Sequence, residues 1–285
     1  MMIKHMLTMM RKVKVCVISV FFFVGIFVSY LQAGIVVRPQ YLFIDAPSKS
    51  GVLTISNSGE GTIEVTIDLR YGYHTTDDTG KIIVMMPDEL QSDDRSMVNW
   101  IRAYPSRFIL GPSESQGVRI FANPPSGMSP GEYWAKMIVT PKVSKSVVEK
   151  NKRGPAIEMI TVVTVPLHYR VKPAVTGIEM LGVKDISRNG GMVKSVASFK
   201  RVGNASFWGT LQCRVLNNAG RVVGTADRNL VVYKDLKLIL EIPTDFSGGG
   251  PFTLELTAVT KRTDIRSNLL INAEPQRWTF PITIQ

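Results

Sequence analysis

Apolar and polar positions alternate with a period of two from Ile35 to Ile284, and no stretch beyond residue 33 holds a helical period for three turns. Turn signals at short intervals divide this alternation into short strands, the pattern of an all-β chain of sandwich type. The run from Trp100 to Tyr133 is the clearest example. Phe108 and Leu110 alternate, Gly111-Pro112-Ser113 breaks the chain, Val118 and Ile120 alternate again, and Pro124 to Gly131 breaks it a second time. This predicts strand, turn, strand, turn, strand, as two consecutive hairpins. Upstream, Val36, Val37 and Tyr41 to Ile44 make a first strand and Gly51 to Asn57 a second. Downstream, Gly203 to Gly209 begins another hairpin, and Val231-Val232-Tyr233 follows it.

Val171-Lys172-Pro173-Ala174 is the best internal boundary, because a proline there stiffens a short connection between two strands. It predicts two domains of immunoglobulin size, 34–172 and 173–285. Two irregular segments interrupt the first, a basic one from Lys142 to Gly154 and an acidic, polar one from Asp88 to Ser96.

The fixed residues of the Trp100 run are Trp100, Pro105, Phe108, Leu110, Pro112, Gln116, Val118, Arg119, Ile120, Pro124-Pro125 and Gly131-Glu132-Tyr133. Their spacing resembles the N-terminal immunoglobulin-like domain of PapD-like periplasmic pilus-assembly chaperones of the chaperone–usher system, closest to the archaic and spore-coat-type branch. The two opening strands, the second closed by Asn57, and the Gly203 to Tyr233 region extend the resemblance over nearly all of the chain beyond residue 33. It implies two immunoglobulin-like β-sandwich domains. It also implies a chaperone that captures pilin-like subunits by donor-strand complementation and works with an outer-membrane usher to assemble a surface fibre.

The first 33 residues stand apart from the alternation. Lys4, Arg11, Lys12 and Lys14 flank an apolar run from Val15 to Leu31, and Ala33 offers a small residue for cleavage, the pattern of a secretory signal peptide and hence of periplasmic export. The rival is an uncleaved anchor, although the run falls just short of the ~18 residues a membrane span needs. Cleavage would remove those four basic residues and no acidic one, so the net charge falls from +11 to +7. The charges are spread along strands rather than blocked, which argues against a nucleic-acid partner. Cys16 would leave with the leader, and Cys213 remains as an inward-facing thiol with no partner for a disulfide.

Catalytic patterns appear and fail on context. Gly127-Met128-Ser129-Pro130-Gly131 fits G-x-S-x-G, but the nucleophile elbow needs a strand before it and a helix after it, and here prolines precede and a strand follows. Asp78-Thr79-Gly80 lies in a hairpin turn, with no second carboxylate to pair with. His74 and His168 are the only histidines beyond the leader, too few for a zinc site or a Ser-His-Asp arrangement. Gly248-Gly249-Gly250 precedes a strand, not a helix, so it cradles no phosphate. The expectation is no enzyme activity, no metal, no cofactor and no small-molecule substrate.

The binding candidate is Ala156 to Tyr169. Ile157, Met159, Thr161, Val163, Val165 and Leu167 share one face and Ile160, Val162 and Thr164 the other, so both faces are largely apolar. Such a strand is either central in a sandwich or an edge that expects a partner. In the PapD-like family the corresponding strand is that edge, and a pilin-like subunit adds to it. The resemblance further implies that basic residues between the domains anchor the subunit's C-terminal carboxylate. Arg38 matches the family's arginine to within about a residue. Pro166 stands where the family's lysine would, so Lys136 or Arg170 is left to substitute. Each of the three is otherwise a solvated surface charge. A secreted two-domain structural or adhesion module is the alternative reading.

Overall fold

The structure is a computed structural model that describes residues 34–77, 79–143 and 161–282. The expected leader, Ile157, Met159 and all of the expected basic loop beyond Val143 lie outside the described residues. Among the described residues, no helix is long and apolar enough to cross a membrane.

The first half of the chain forms strands β1 (Ile35–Arg38), β2 (Leu42–Asp45), β3 (Ser50–Asn57), β4 (Ile63–Arg70), β5 (Tyr73–Thr76), β6 (Ile82–Met85), β7 (Ile101–Tyr104), β8 (Arg107–Leu110), β9 (Ser115–Ala122), β10 (Gly131–Val143) and β11 (Val163–Val171). The second half forms β12 (Thr176–Asn189), β13 (Met192–Gly203), β14 (Phe207–Leu216), β15 (Val222–Val232), β16 (Asp235–Pro243), β17 (Phe252–Val259) and β18 (Gln276–Ile282). Sheet β1-β3-β9-β7 stacks on sheet β2-β11-β10-β4-β8, and sheet β12-β13-β16 stacks on sheet β15-β14-β17-β18. The fold is all-β, two immunoglobulin-like sandwiches.

Alternation explains each core. Leu53, Ile55, Val118 and Ile120 from one sheet meet Val65, Met137, Val139 and Leu167 from the other, all buried. In the second half Val193, Phe199 and Leu240 meet Leu211, Leu254 and Leu256. Cys213 belongs to this second core, free and buried, and burial pushes its thiol up to about 12.

The Trp100 to Tyr133 strands form where the alternation puts them, but they are not hairpins. β8 pairs with β4, β9 pairs with β3 and β7, and β10 pairs with β4 and β11, so each turn carries the chain from one sheet to the other. A period of two fixes which face is buried, not which strand is the neighbour, and a sheet-to-sheet corner satisfies it as well as a hairpin does. The Gly127–Gly131 segment is thus a corner between β9 and β10, with no helix after Ser129. Lys142 and Val143, expected to open the basic loop, instead extend β10 against Glu64 and Ile63. Gly203 ends β13 and the chain crosses to the other sheet, where the hairpin expected to begin in this segment is β14–β15, with Phe207 opposite Val232.

One further hairpin, β5–β6, joins neither sandwich sheet. Its turn is set by Asp77, whose Oδ1 accepts from Thr79 N (2.9 Å), Thr79 Oγ1 (2.6 Å) and Lys81 N (3.0 Å). The hairpin reaches across to β16, where Thr75 Oγ1 donates to Asp235 O (3.3 Å) and Lys237 N donates to Thr76 Oγ1 (2.8 Å).

Asn57 ties the two sheets of the first sandwich at one corner. Its buried Nδ2 donates to Gly61 O (2.7 Å), Gly111 O (3.0 Å) and, more weakly, Leu110 O (3.3 Å), while Oδ1 accepts from Gly59 N (2.9 Å). Asn57→Ala strands these groups and should cost about 2–3 kcal/mol, by the penalty for unsatisfied buried polar groups. Urea unfolding measures it, and a loss smaller than about 0.5 kcal/mol would contradict the tie.

Candidate functional site

β11 is an edge for part of its length only. It pairs with β10 from Val163 to Val171. On its other side β2 runs parallel to it only from Leu167 to Arg170. From Val163 to Pro166, therefore, no described strand takes the second row of backbone groups. Pro166 sits where a proline is tolerated, at an open edge. The side chains divide by parity. Val165, Leu167 and Tyr169 are buried in the chain's own core and Val163 packs partly against it. Thr161 and Val162 precede the strand and are exposed.

The even-numbered side chains of β11 turn the other way, toward the second sandwich. Glu132 of β10, opposite Arg170 in the ladder, is fully buried and gathers three partners. Arg170 Nε donates to Glu132 Oε2 (2.7 Å), His168 Nδ1 donates to Oε1 (3.0 Å), and the hydroxyl of Ser206, just before β14, also donates to Oε1. Burial alone would raise the Glu132 carboxyl, but His168, Arg170 and Ser206 together hold it down to about 2. His168 is the neutral tautomer with its proton on Nδ1. Burial lowers its pKa against the pull of Glu132, and Nε2 accepts from Tyr233 Oη (3.1 Å), a phenol held protonated by burial. Arg170 Nη1 also donates to Leu269 O (2.5 Å), and its guanidinium lies 4.3 Å from the Phe43 ring. Trp208 Nε1 donates to Ser206 Oγ (2.8 Å), and Trp208 packs edge-on against Tyr41, Phe43 and His168. The backbones approach closely too. Glu132 N donates to Asn204 O (3.0 Å), and a side chain on Gly131, at φ +130°, would meet that carbonyl at 2.6 Å.

Lys136 lies four residues beyond Glu132 along β10, directly opposite Pro166. It is fully buried. Nζ donates to Nδ1 of His74 on the β5–β6 hairpin (3.1 Å) and stands 5.8 Å from the centre of the Tyr233 ring. It makes no contact with a carboxylate among the described residues. Burial pushes its ammonium down to about 7, and burial with the neighbouring Lys136 and His168 pushes His74 down to about 4, so a neutral imidazole accepts the bond.

Of the three expected anchors, Lys136 and Arg170 are therefore not surface charges. They share one buried cluster, linked through His74, Tyr233, His168 and Glu132. Arg170 is committed to Glu132. Arg38 lies apart, exposed at the end of β1, opposite Thr54, with no ion pair or side-chain hydrogen bond among the described residues. Glu132, Ser206, Trp208 and Tyr233 entered the sequence reading only as parts of strands and spacing, not as site residues. Their signal was the polar Glu132, Lys136, His168 and Arg170 alternating with apolar neighbours on two long strands, a second face that has to be covered by something. No group of three or more His, Cys, Asp or Glu side chains that could hold a metal is present among the described residues.

No family model matches the chain, and no curated protein matches it significantly. Solved periplasmic chaperones of pilus assembly match along most of it. A structure of the CsuC–CsuE chaperone–tip adhesion subunit pre-assembly complex, from archaic chaperone–usher Csu pili of Acinetobacter baumannii, aligns at 16% identity and TM-score 0.41, covering 73% of this chain and 91% of that one. The CupB2 chaperone of Pseudomonas aeruginosa aligns at 8% and 0.44, covering 88% and 100%. The Salmonella enterica SafA pilin–SafB chaperone complex aligns at 11% and 0.43, covering 87% and 97%. Likeness this distant carries no argument about activity.

The buried ammonium has a measurable cost. Unfolded, Lys136 titrates near its ordinary 10.5, and folded near 7, so between these values the unfolded chain binds more protons and stability rises with pH. The penalty is complete below about 7 and gone above about 10.5. Lys136→Met should therefore stabilise the protein at pH 7 by on the order of 1–3 kcal/mol, net of the donor His74 loses, with the gain fading as pH rises toward 10.5. Urea unfolding of both proteins from pH 6 to 10 tests this. A gain that grows with pH would reverse the assignment.

Proposed function

We propose that this protein is a periplasmic chaperone that captures a pilin-like subunit lacking one strand of its own sheet, by adding the subunit to the open edge of β11. The carrying observation is the row of backbone groups from Val163 to Pro166 that β2 leaves unpaired, continuous with the apolar segment Ile157–Val162. β-Strand addition uses such a row for affinity and alternate side chains for register. Because Val165 is already buried in the chain's own core, the donated side chains are those before it, Ile157, Met159, Thr161 and, in part, Val163. The spacing of Trp100 to Tyr133 supports the same reading. In it the first 33 residues are an export signal removed near Gly34, residues 34–172 and 173–285 are the two domains, and an outer-membrane usher receives the loaded chaperone.

Met159→Asp and Val163→Asp should each abolish co-purification of a stoichiometric small β-rich partner from periplasmic extract. Each puts a carboxylate where the subunit groove has to bury it, at roughly several kcal/mol. Urea midpoints near wild type establish that the variants fold. Folded variants that still hold the partner would rule out donation through this segment, and wild type that always purifies alone would favour a structural module.

The subunit's carboxylate, in this reading, first meets Arg38, the anchor candidate that solvent reaches. Arg38 precedes by four residues Leu42, which pairs with Leu167 where the open edge ends. A guanidinium fork meets both carboxylate oxygens in charge-assisted bonds of about 1.5–3 kcal/mol, so Arg38→Ala should weaken capture at least about tenfold. Titration with a subunit and with its C-terminally amidated form tests it. If amidation weakens wild type while Arg38→Ala binds normally, other residues hold the carboxylate.

A further inference from the structure

Strand β6 is the outer edge of the separate β5–β6 ribbon, and no described strand pairs with its far side. Its bonding pattern follows from one contact. Asp77 N donates to Lys81 O (3.0 Å), which makes Asp77 and Lys81 a bonded pair, and bonded pairs recur at every second residue of an antiparallel ladder. Ile83 and Met85 therefore bond to β5. The N–H and C=O of Ile82 and Val84 point away from it, with no partner among the described residues. The ribbon that presents this edge is firmly seated. His74 accepts from Lys136, Thr75 and Thr76 tie β5 to β16, and Lys234 Nζ lies 5.6 Å from the Tyr73 ring.

An edge strand is a template for pairing, and natural chains blunt it with charge, proline or a bulge. This chain does so at its other edges. β1, β2, β7, β8, β15 and β16 each carry at least one charged residue, β18 carries Pro281, and β12 breaks register twice. The outer side of β5 is occupied by β16. Among the described edges β6 alone, Ile82-Ile83-Val84-Met85, has none of these devices, and Ile82, Val84 and Met85 are exposed. An uncharged, β-branched run with open backbone groups is the composition of a strand that pairs.

We propose that β6 pairs antiparallel with β6 of a second copy of this chain, about a twofold axis at Ile83, joining two ribbons into one four-stranded sheet. A twofold axis perpendicular to a sheet keeps every side chain on its own face, so only residues an even number apart can face each other across it. With Ile82 and Val84 as the outward-bonding residues, Ile82 of each copy exchanges both hydrogen bonds with Val84 of the other, and Ile83 faces Ile83 in a non-bonded pair. An axis at Val84 would need Met86, which lies beyond the strand. Charge also fits a second copy. Lys81 falls opposite Met85, roughly 13 Å from Lys81 of the other copy and so beyond the screening length of ~8 Å. The chain after Met85 runs on to Asp88 and Glu89, opposite in sign to Lys81. Four strand residues bury far less than the ~800 Å² per partner of a standard interface, so this dimer is weak and concentration-dependent. It uses neither side of β11 and stands independently of the capture reading.

Two measurements on the purified protein test this. The first is crosslinking of Ile83→Cys by oxidised glutathione, because a non-bonded antiparallel pair holds its Cα atoms ~4.5 Å apart, within disulfide reach. Ile83→Cys should become a covalent dimer at least tenfold faster than Val52→Cys, an exposed position on the first sandwich, and wild type, whose Cys213 is buried, is the blank. The second is sedimentation velocity from about 1 to 300 µM, a range that brackets a weak interface. Wild type should dimerise reversibly, and Ile82→Lys should weaken the dimer at least tenfold. Ile82 is 57% exposed, so the lysine leaves the fold intact, which the urea midpoint verifies. Val163→Asp, which tests capture, should leave the dimer unchanged. Wild type that stays monomeric throughout, crosslinking of Ile83→Cys no faster than of Val52→Cys, or a dimer lost in Val163→Asp and kept in Ile82→Lys overturns the pairing of β6.

Discussion

The carboxylate of Glu132 is the point on which the arrangement of the two halves turns. It sits in a place where an unpaired charge would be prohibitive, and it is tolerable only because β11 supplies Arg170 and His168 while the second sandwich supplies Ser206. Those partners come from two stretches of chain besides β10, so satisfying one group fixes three elements at once. The same bonds stop β11 from sliding along β10, since a shift of one residue would turn Arg170 into the apolar core. Where β11 is held determines where β2 can join it, and hence how much of its edge stays open.

This junction was only partly legible in the sequence. Alternation identified the strands and the all-β sandwich class because inward residues must repeat every second position. It did not distinguish corners from hairpins between Phe108 and Tyr133, because both bury the same face. Arg170 and Lys136 were seen as anchor candidates or else solvated charges, not as buried groups, since the surface that buries them comes from Trp208 and Tyr233, tens of residues away in the chain. Pro166 taught the same lesson. Matched along the strand, it removes a lysine. Matched across the ladder, it has Lys136 beside it on β10, a neighbour that only register reveals.

Two buried cations on the same face of adjacent strands are treated in opposite ways. Arg170 has a carboxylate, a backbone carbonyl and an aromatic face, every one of them pre-formed. A guanidinium so matched has nothing left to offer a ligand. Among the described residues Lys136 has one neutral acceptor and a ring nearly 6 Å away, so its desolvation is poorly offset. A chain that needed only structure at this position would gain by an apolar residue there.

Pro166 and Lys136 together mark the position where the second row of β11 passes from unpaired to paired. A strand added along Val163–Pro166 has to end at this point, because β2 already occupies the edge from Leu167 onward. The open edge thus ends, in the register of the ladder, opposite the under-matched ammonium.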